Sequence, residues 1–434
     1  MIKVAVLGYG NIGSGVVQVL LKNKETIAKK AGDEIVPACV LDLRDFPGDV
    51  MEDKVVKDIN LITQNPEISI VVETMGGTKP AYAFVKACLE AGKHVATSNK
   101  ELVAAHGPEL LEIAKAHHVS FLFEASVGGG IPIIRPLVSS ITSDAVTEIT
   151  GILNGTTNYM LTKMSEDGLD YDAVLEDAQE RGYAERNPAA DVEGHDARRK
   201  IAILSSLAFG KYVDYEDVYT EGITKITSAD FAYAKVLGSR IKLFGTSKKK
   251  DDGSISAMVC PVMITNEHPL FAVNDVMNAI LVRGESMGDL MFYGAGAGKL
   301  PTASAVVADV VNAARNPKIT EIEPYEPGKM TVSDHLKSTH SYFVRVKGSD
   351  ANAVAESFKA KQIVDAGIAD IVALHVIHTP LGIQGEQGII VGLASLHIRA
   401  QSIHIRIPPA DGKGICDLVR RLLASQNGQM FLRR

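Results

Sequence analysis

The chain has 434 residues, with 45 Lys and Arg against 52 Asp and Glu for a formal charge of -7, and 46% of its residues are hydrophobic. At on the order of 150 residues per domain, that is room for two or three domains, each with its own core. Acids and bases are interspersed with no polybasic block to neutralise phosphates, which argues against nucleic acid or an anionic membrane as partner and for a small-molecule substrate.

In chain order, the first third alternates apolar runs with helix-period segments: strand "IKVAVLG", helix "NIGSGVVQVLLKNK", strand "EIVPACVLD", strand "ISIVVETMGG", helix "PAYAFVKACLEAGK", strand "HVATS", helix "KELVAAHGPELLEIAKAHH" and strand "SFLFEAS". This order predicts βαβ units and a doubly wound parallel α/β sheet over residues 1–130. From about Gly130 helical segments dominate, with strand-like "AVTEITGIL" and "SISAMVCPVMI" among them, predicting a second, α+β domain with a mixed sheet over 131–325. A helix from about Thr302 to 320 is expected to pack back on the first domain. The Pro- and Glu-rich "EIEPYEPGKMT" reads as a linker. Beyond it, strand "SYFVRVKG", helix "DANAVAESFKAKQIV", strands "DIVALHVIH", "GIIVGLA" and "SIHIRI", helix "GICDLVRRLLAS" and strand "QMFLRR" predict a small α+β domain over 340–434.

Cys39, Cys88, Cys260 and Cys416 lie far apart without CxxC spacing, which points to reduced thiols rather than a disulfide framework or a zinc site. No basic n-region and apolar h-region precede the strand that starts at Ile2, and no stretch of about 18 uncharged apolar residues occurs. A soluble, cytoplasmic protein is expected.

Gly8, Gly10 and Gly13 in "GYGNIG" follow an apolar strand, and Asn11 and Ile12 open the helix behind them. In that context the first glycine permits the turn, the second lets backbone approach a pyrophosphate, and the third packs helix on strand. A dinucleotide is therefore expected, and two forms of it stay open. Asp42 at the second strand tip would accept from a ribose 2′-OH and favour NAD, whereas Arg44, with Lys54 or Lys57, would pair with a 2′-phosphate and favour NADP. Ligands gather outside the carboxyl ends of parallel strands, so Thr74, Gly76, Gly77, Ser98, Asn99 and Lys100 are expected to face the nicotinamide.

In "DVEGHDARRKIAILSSLAFG", Asp196 and Lys200 are spaced i, i+4 and share the helix face that continues through Ile203, Leu204 and Leu207. Arg198 and Arg199 fall on other faces and are expected to reach solvent, and His195 reads as a polar helix start. An ion pair aimed at a core carries a desolvation cost that is usually met at functional sites. Glu185 and Asp191 add two carboxylates suited to a substrate ammonium.

Over roughly residues 1–325 these features resemble the homoserine dehydrogenase family, through "GYGNIG", "TSNKELVAAHG", "FEASVGGGIPII", "GILNGTTNYML", "GYAERNPAADVEGHDARRK" and "YGAGAGKLPTASAVVADV". The resemblance implies reversible reduction of L-aspartate 4-semialdehyde to L-homoserine by NADP or NAD, on the route to threonine, methionine and isoleucine. It implies that Lys200 and Lys100 flank the reacting carbonyl, either supplying the proton, that Asp196 orients Lys200 and substrate, and that Glu185 and Asp191 grip the amino end. Asn154, Gly155, Thr156 and Thr157, within "NGTTN" to Asn158, would line the substrate pocket, and Gly298 in "YGAGAG" would lie against the cofactor. Glu124 with the carbonyls of Val127, Gly129 and Ile131 would hold a monovalent cation such as sodium. The resemblance also implies a homo-oligomer, dimer or tetramer, and a C-terminal ACT-like (ferredoxin-like) domain able to sense threonine.

Three departures bear on its details, the first on NADP preference and the last on threonine sensing. Leu41 occupies a position where the family commonly has arginine, Asn187 one where an acid is common, and "VRVKGSDANAVAES" lacks the proline-glycine turn expected after the first ACT strand.

Overall fold

The computed structural model describes residues 1–335, 340–347, 352, 355–356, 362–368, 371–378 and 391–392. Six strands, β1 (Ile2–Leu7), β2 (Ile35–Leu41), β3 (Val55–Val56), β4 (Ile68–Glu73), β5 (His94–Thr97) and β6 (Phe121–Leu122), form an all-parallel sheet in the order β3-β2-β1-β4-β5-β6. Their near-continuous Val, Ile and Leu content follows from burial on both faces, with Val4 to Leu7 and Ile70 to Val72 inaccessible to water. Helices α1 (Asn11–Lys22), α2 (Lys24–Ala31), α3 (Asn60–Thr63), α4 (Ala81–Glu90) and α5 (Lys100–Ala116) cover it. The strand order reverses between β1 and β4, which opens a crevice at their carboxyl ends.

The expected strand "SFLFEAS" is only two residues long, because the chain turns at Glu124–Ser126 into the crossing to the second sheet. That sheet contains β7 (Val146–Ile152), and after it come α6 (Gly155–Glu166), α7 (Tyr171–Glu180), α8 (Ala189–Val192) and α9 (His195–Phe209). Two short strands, β8 (Lys211–Tyr212) and β9 (Tyr219–Thr220), and helix α10 (Ser228–Val236) lead to β10 (Ser239–Lys249), β11 (Ile255–Thr265), β12 (Met277–Gly284) and β13 (Gly288–Ala295). The antiparallel path β13-β12-β7-β10-β11 has α6, α9 and α10 packed on it. Among the described residues no helix is long and apolar enough to cross a membrane.

The return helix α11 spans Lys299–Arg315, three residues earlier than its expected start at Thr302, because Gly298 at φ +118 caps it. It packs on α1, β4 and β5 and so closes the chain back on the first sheet, as expected. The segment read as a linker is tied down instead: β14 (Glu326–Lys329) runs parallel to β8, with Glu326 N–H donating to Gly210 O at 2.8 Å and Met330 N–H to Tyr212 O at 2.7 Å. Of the tail, β15 (His340–Lys347), β16 (Gln362–Val364), β17 (Ile371–His378) and β18 (Val391–Gly392) are described, and β18 pairs with β11 through Val262. Residues 362–364 are strand where a helix is expected. The expected elements "SIHIRI", "GICDLVRRLLAS" and "QMFLRR" lie outside the described residues.

One buried ionic knot joins α11 to the crossing. Asp309 accepts Arg135 Nη2 at 2.6 Å and Glu124 N–H at 2.9 Å. Burial, then the neighbouring Glu124 carboxylate, push Asp309 up to about 7 against the pull of Arg135. A folded value above the unfolded one of about 3.9 means that this group's stabilisation is fully present below about pH 4 and is lost as pH rises through 7. The melting temperature of the wild type minus that of Asp309→Asn should therefore be larger at pH 5 than at pH 8; thermal melts at both values check this, and a difference that grows with pH contradicts it.

Candidate functional site

The glycine turn is built for an anion. Gly8, at φ +86, ends β1, and a Cβ added to Gly13 would lie 2.0 Å from Gly8 O, so helix α1 sits hard against the turn only because that position is glycine. Space is open around Gly10, which caps α1, and no acid stands in the first turn, where Asn11 is exposed and Ile12 half-buried. Thr74 donates from Oγ1 to Gly8 O at 2.8 Å and so holds the turn from β4 rather than only facing a ligand. Free amides at a helix N-terminus beside open space fit a dinucleotide pyrophosphate.

At the tip of β2, both oxygens of Asp42 are occupied. Arg44 Nε and Nη2 clasp them at 3.0 and 2.9 Å, and Tyr9 N–H donates to Oδ2 at 2.8 Å. The Arg44 side chain holds the carboxyl well below the usual carboxylate range against the opposing effect of burial. Asp42 and Arg44, expected to act as alternatives, are thus partners. Lys57 pairs with Asp45 at 2.8 Å and donates to Arg44 O, and Lys54 is exposed.

The tips of β4 and β5 are joined by a residue that sequence reasoning missed. Glu73, with no exposed surface, accepts Met75 N–H at 2.7 Å, Thr97 Oγ1 at 2.5 Å and Asn99 Nδ2 at 3.4 Å. Burial pushes its carboxyl up against those three bonds. The signal was present in "VVETMGG", where an acid closes an apolar strand. Asn99 caps α5 through Leu102 N–H and donates to Gly77 O at 2.6 Å, while Ser98 lies half-buried between the two turns.

Lys100 opens α5 and its ammonium crosses to the second sheet's layer, pairing with Asp196 Oδ1 at 2.7 Å. Lys200 Nζ donates to Asp196 Oδ2 at 2.7 Å and to Leu153 O at 2.8 Å. The i, i+4 pair does share a buried face, and a second cation, from another domain layer, meets it. Burial of Asp196, only 3% exposed, would raise its carboxyl, but Lys200 and Lys100 outweigh that and hold it well below the usual range. Asp196 raises the Lys100 ammonium in turn.

Asn154 caps α6 by accepting Thr157 N–H at 2.9 Å, and its Nδ2 donates to Asp191 at 2.7 Å and Asp196 at 3.0 Å. Burial first, then Asp196, raise the Asp191 carboxyl. Gly155 lies against Val276, Thr156 donates to Tyr183 O, and Thr157 belongs to the cap. Asn158 turns into the core, where it donates to the carbonyls of Val273, Asp275 and Met277 and accepts from the buried Lys242 ammonium.

One expectation is corrected here. Arg198 and Arg199 do not run to solvent: Arg198 forks onto Glu216 at 3.1 and 3.2 Å, Arg199 lies 3.9 Å from Glu101, and both guanidinium groups sit over Tyr215. Glu185 is exposed, with its carbonyl accepting from Gln179, and the structure gives its carboxylate no bond to the lysine cluster. His195 sits at the helix start as expected, paired with Glu193.

The carboxylate of Glu124 is likewise committed, to the N–H groups of Ile133, Ile134 and Arg135 at 2.6, 2.8 and 2.8 Å. By contrast, no backbone N–H among the described residues donates to the carbonyls of Val127, Gly129 or Ile131. Free carbonyl oxygens fit a hard monovalent cation; the Glu124 side chain does not add to that set.

Comparison with known proteins gives the family and the fold. Residues 8–124 match the family described as "Homoserine dehydrogenase, NAD binding domain", and residues 132–311 the one described as "Homoserine dehydrogenase". A homoserine dehydrogenase of Mycobacterium tuberculosis is 42% identical over 375 residues, covering 83% of this chain and 84% of that one. One of Synechocystis is 45% identical over 353 residues, covering 80% and 79%. The crystal structure of a homoserine dehydrogenase from Thiobacillus denitrificans superposes with a TM-score of 0.82 at 35% identity, covering 87% of this chain and 92% of that one. With its dinucleotide turn on the first sheet and its lysines meeting over Asp196, the chain belongs to the homoserine dehydrogenase family, whose members are NAD(P)-dependent oxidoreductases.

Proposed function

We propose that the chain interconverts L-homoserine and L-aspartate 4-semialdehyde, with the reacting oxygen between the ammonium groups of Lys100 and Lys200. The observation that carries this reading is the single Asp196 carboxylate shared at 2.7 Å by lysines from two domains. A bound nicotinamide supplies or accepts the hydride at the substrate carbon. In the reducing direction negative charge grows on the carbonyl oxygen, and an ammonium aimed at it both stabilises that charge and donates the proton. Asp196 keeps the two ammoniums side by side against their mutual repulsion and fixes Lys200 together with Leu153 O. In the oxidising direction the same lysine receives the hydroxyl proton. Asp191, held by Asn154, takes the substrate ammonium, with Glu185 approaching from the exposed side, and the free first-turn amides of α6 at Gly155 and Thr156 take the carboxylate.

Around this centre, Gly8, Gly10, Asn11, Ile12 and Gly13 would hold the dinucleotide, with Thr74, Ser98 and Gly298 beside it. A sodium-like cation takes the carbonyls of Val127, Gly129 and Ile131. The units are residues 1–130, 131–325 and an ACT-like 340–434, for which threonine sensing rests on resemblance alone. Exposed Leu290, Met291 and Tyr293 on the edge strand β13 support a homo-oligomer. A cytoplasmic location fits the reduced Cys39, Cys88 and Cys260.

Initial rates with L-homoserine under NAD and NADP test the reaction, and Lys200→Ala should lower kcat by at least about a hundredfold while dinucleotide still binds; full turnover in that variant sinks the assignment. Arg44→Ala should raise KM for NADP about tenfold and change that for NAD little, since only NADP offers the guanidinium a 2′-phosphate to pair with. Equal effects on both cofactors would show that Arg44 does not meet the 2′-phosphate. Asp191 must be ionised to hold the ammonium, and its carboxyl is raised, so kcat/KM for homoserine should begin to fall with decreasing pH above the ordinary carboxylate range. A pH profile in which Asp191→Asn keeps that acid limb would remove Asp191 from the role.

A further inference from the structure

Glu73 is the last residue of β4, beside β1 on one side and β5 on the other, so it stands at the point where the strand order reverses. Its carboxylate bonds both the loop after β4 and the residues that end β5 and open the loop after it. One oxygen holds the Thr74–Gly77 turn through Met75 N–H at 2.7 Å, and the other takes Thr97 Oγ1 at 2.5 Å. Thr97 Oγ1 in turn accepts Asn99 N–H at 2.9 Å, and Asn99 Nδ2 returns to the first loop at Gly77 O, 2.6 Å away. The ring is closed: Glu73, Met75, Gly77, Asn99 and Thr97 brace one another. Lys100 is the next residue after Asn99, and the cap that Asn99 places on Leu102 N–H sets the direction in which α5 presents it.

An apolar residue would fill this buried position without any desolvation cost. The carboxyl is pushed up by burial and stays only because its neighbours donate to it, an expense met more often at a site than in a plain core. Its donors are the loops that face the nicotinamide end of the crevice.

We propose that Glu73 is a positioning residue of the hydride-transfer site, holding the loops after β4 and β5 in the register that the nicotinamide and the Lys100 ammonium require. The role rests on the reaction proposed above. It acts through Asn99 and Met75, so its loss moves groups that touch substrate and cofactor without removing any of them. A displacement of even an ångström at such groups is enough for a loss of about a hundredfold.

Glu73→Leu removes both acceptor oxygens, and with them all three hydrogen bonds, at similar volume, Glu73→Gln keeps an oxygen for Met75 N–H, and Thr97→Val cuts the link to the second loop alone. For each, kcat and KM with L-homoserine are measured beside the melting temperature, and affinity for NADPH is measured by fluorescence titration without substrate. Glu73→Leu should lose at least about thirtyfold in kcat and weaken NADPH about tenfold, Glu73→Gln should recover most of both losses, and Thr97→Val should lose several-fold in kcat while remaining folded. A folded Glu73→Leu or Thr97→Val protein with wild-type kcat and NADPH affinity, whatever its melting temperature, overturns the proposal. If the wild type fails to turn over homoserine, the reaction reading falls, and the NADPH titration still decides the part Glu73 plays in ordering the loops.

Discussion

The Asp196 carboxylate is the group on which the rest of the site depends. It is taken out of water at the start of α9, where the cost for one ion is several kcal/mol. One opposite charge at about 4 Å, in an effective dielectric of about 20, returns about 4 kcal/mol. A single lysine therefore comes near to balancing the burial, and the second makes it favourable. Because Lys100 comes from the first sheet's layer and Lys200 from α9, the carboxylate also fixes how the two layers face one another. The helix ends explain why it is placed there. An acid in the first turn of α9 is favoured by the helix dipole, while Lys100 as the first residue of α5 is disfavoured, so Lys100 leans on Asp196 twice, for charge and for its position.

Around that pair the remaining polar groups are mutually committed. Asn154 bridges Asp191 and Asp196 with one amide while its oxygen caps α6, which leaves the amides of Gly155 and Thr156 directed outward. The cap and the pocket are the same feature. A surface cap contributes about 1 kcal/mol to a helix; here the same hydrogen bond also aligns two carboxylates, so the motif is read too narrowly as either a turn or a pocket.

What was legible in the sequence was local. Strand and helix alternation, the glycine turn and the i, i+4 spacing of Asp196 and Lys200 each fit within one or two elements, and the structure keeps all of them. What was not legible depends on partners far along the chain. Arg198 and Arg199 look like solvent residues until Glu216, Tyr215 and Glu101 fold against them. The segment 326–329 looks like a linker because its strand partner lies more than a hundred residues earlier. The Glu124 side chain looks free for a ligand until its oxygens meet the backbone of residues 133–135. Glu73 was overlooked for the same reason: its donors sit on two loops separated by a strand and a helix.

Helix α11 links these parts mechanically. At its start, a Cβ on Gly15 of α1 would lie 3.1 Å from Ala303 Cβ, so the dinucleotide helix and the return helix touch backbone to side chain with no slack. Two turns later, Asp309 holds Arg135 and the backbone of Glu124, and Glu124 organises the start of the turn that follows the free carbonyls. Before α11 begins, the crossing closes on itself, since a Cβ on Gly129 would come within 2.4 Å of Gly296 O. The glycine turn, the carbonyl loop and the return crossing are thus closely packed on one another, and in a close-packed interior a shift at one member is felt by its neighbours. Through Asp309, which holds the Glu124 backbone and Arg135 on either side of the carbonyl loop, that loop is tied to α11 and so to the dinucleotide helix packed on it.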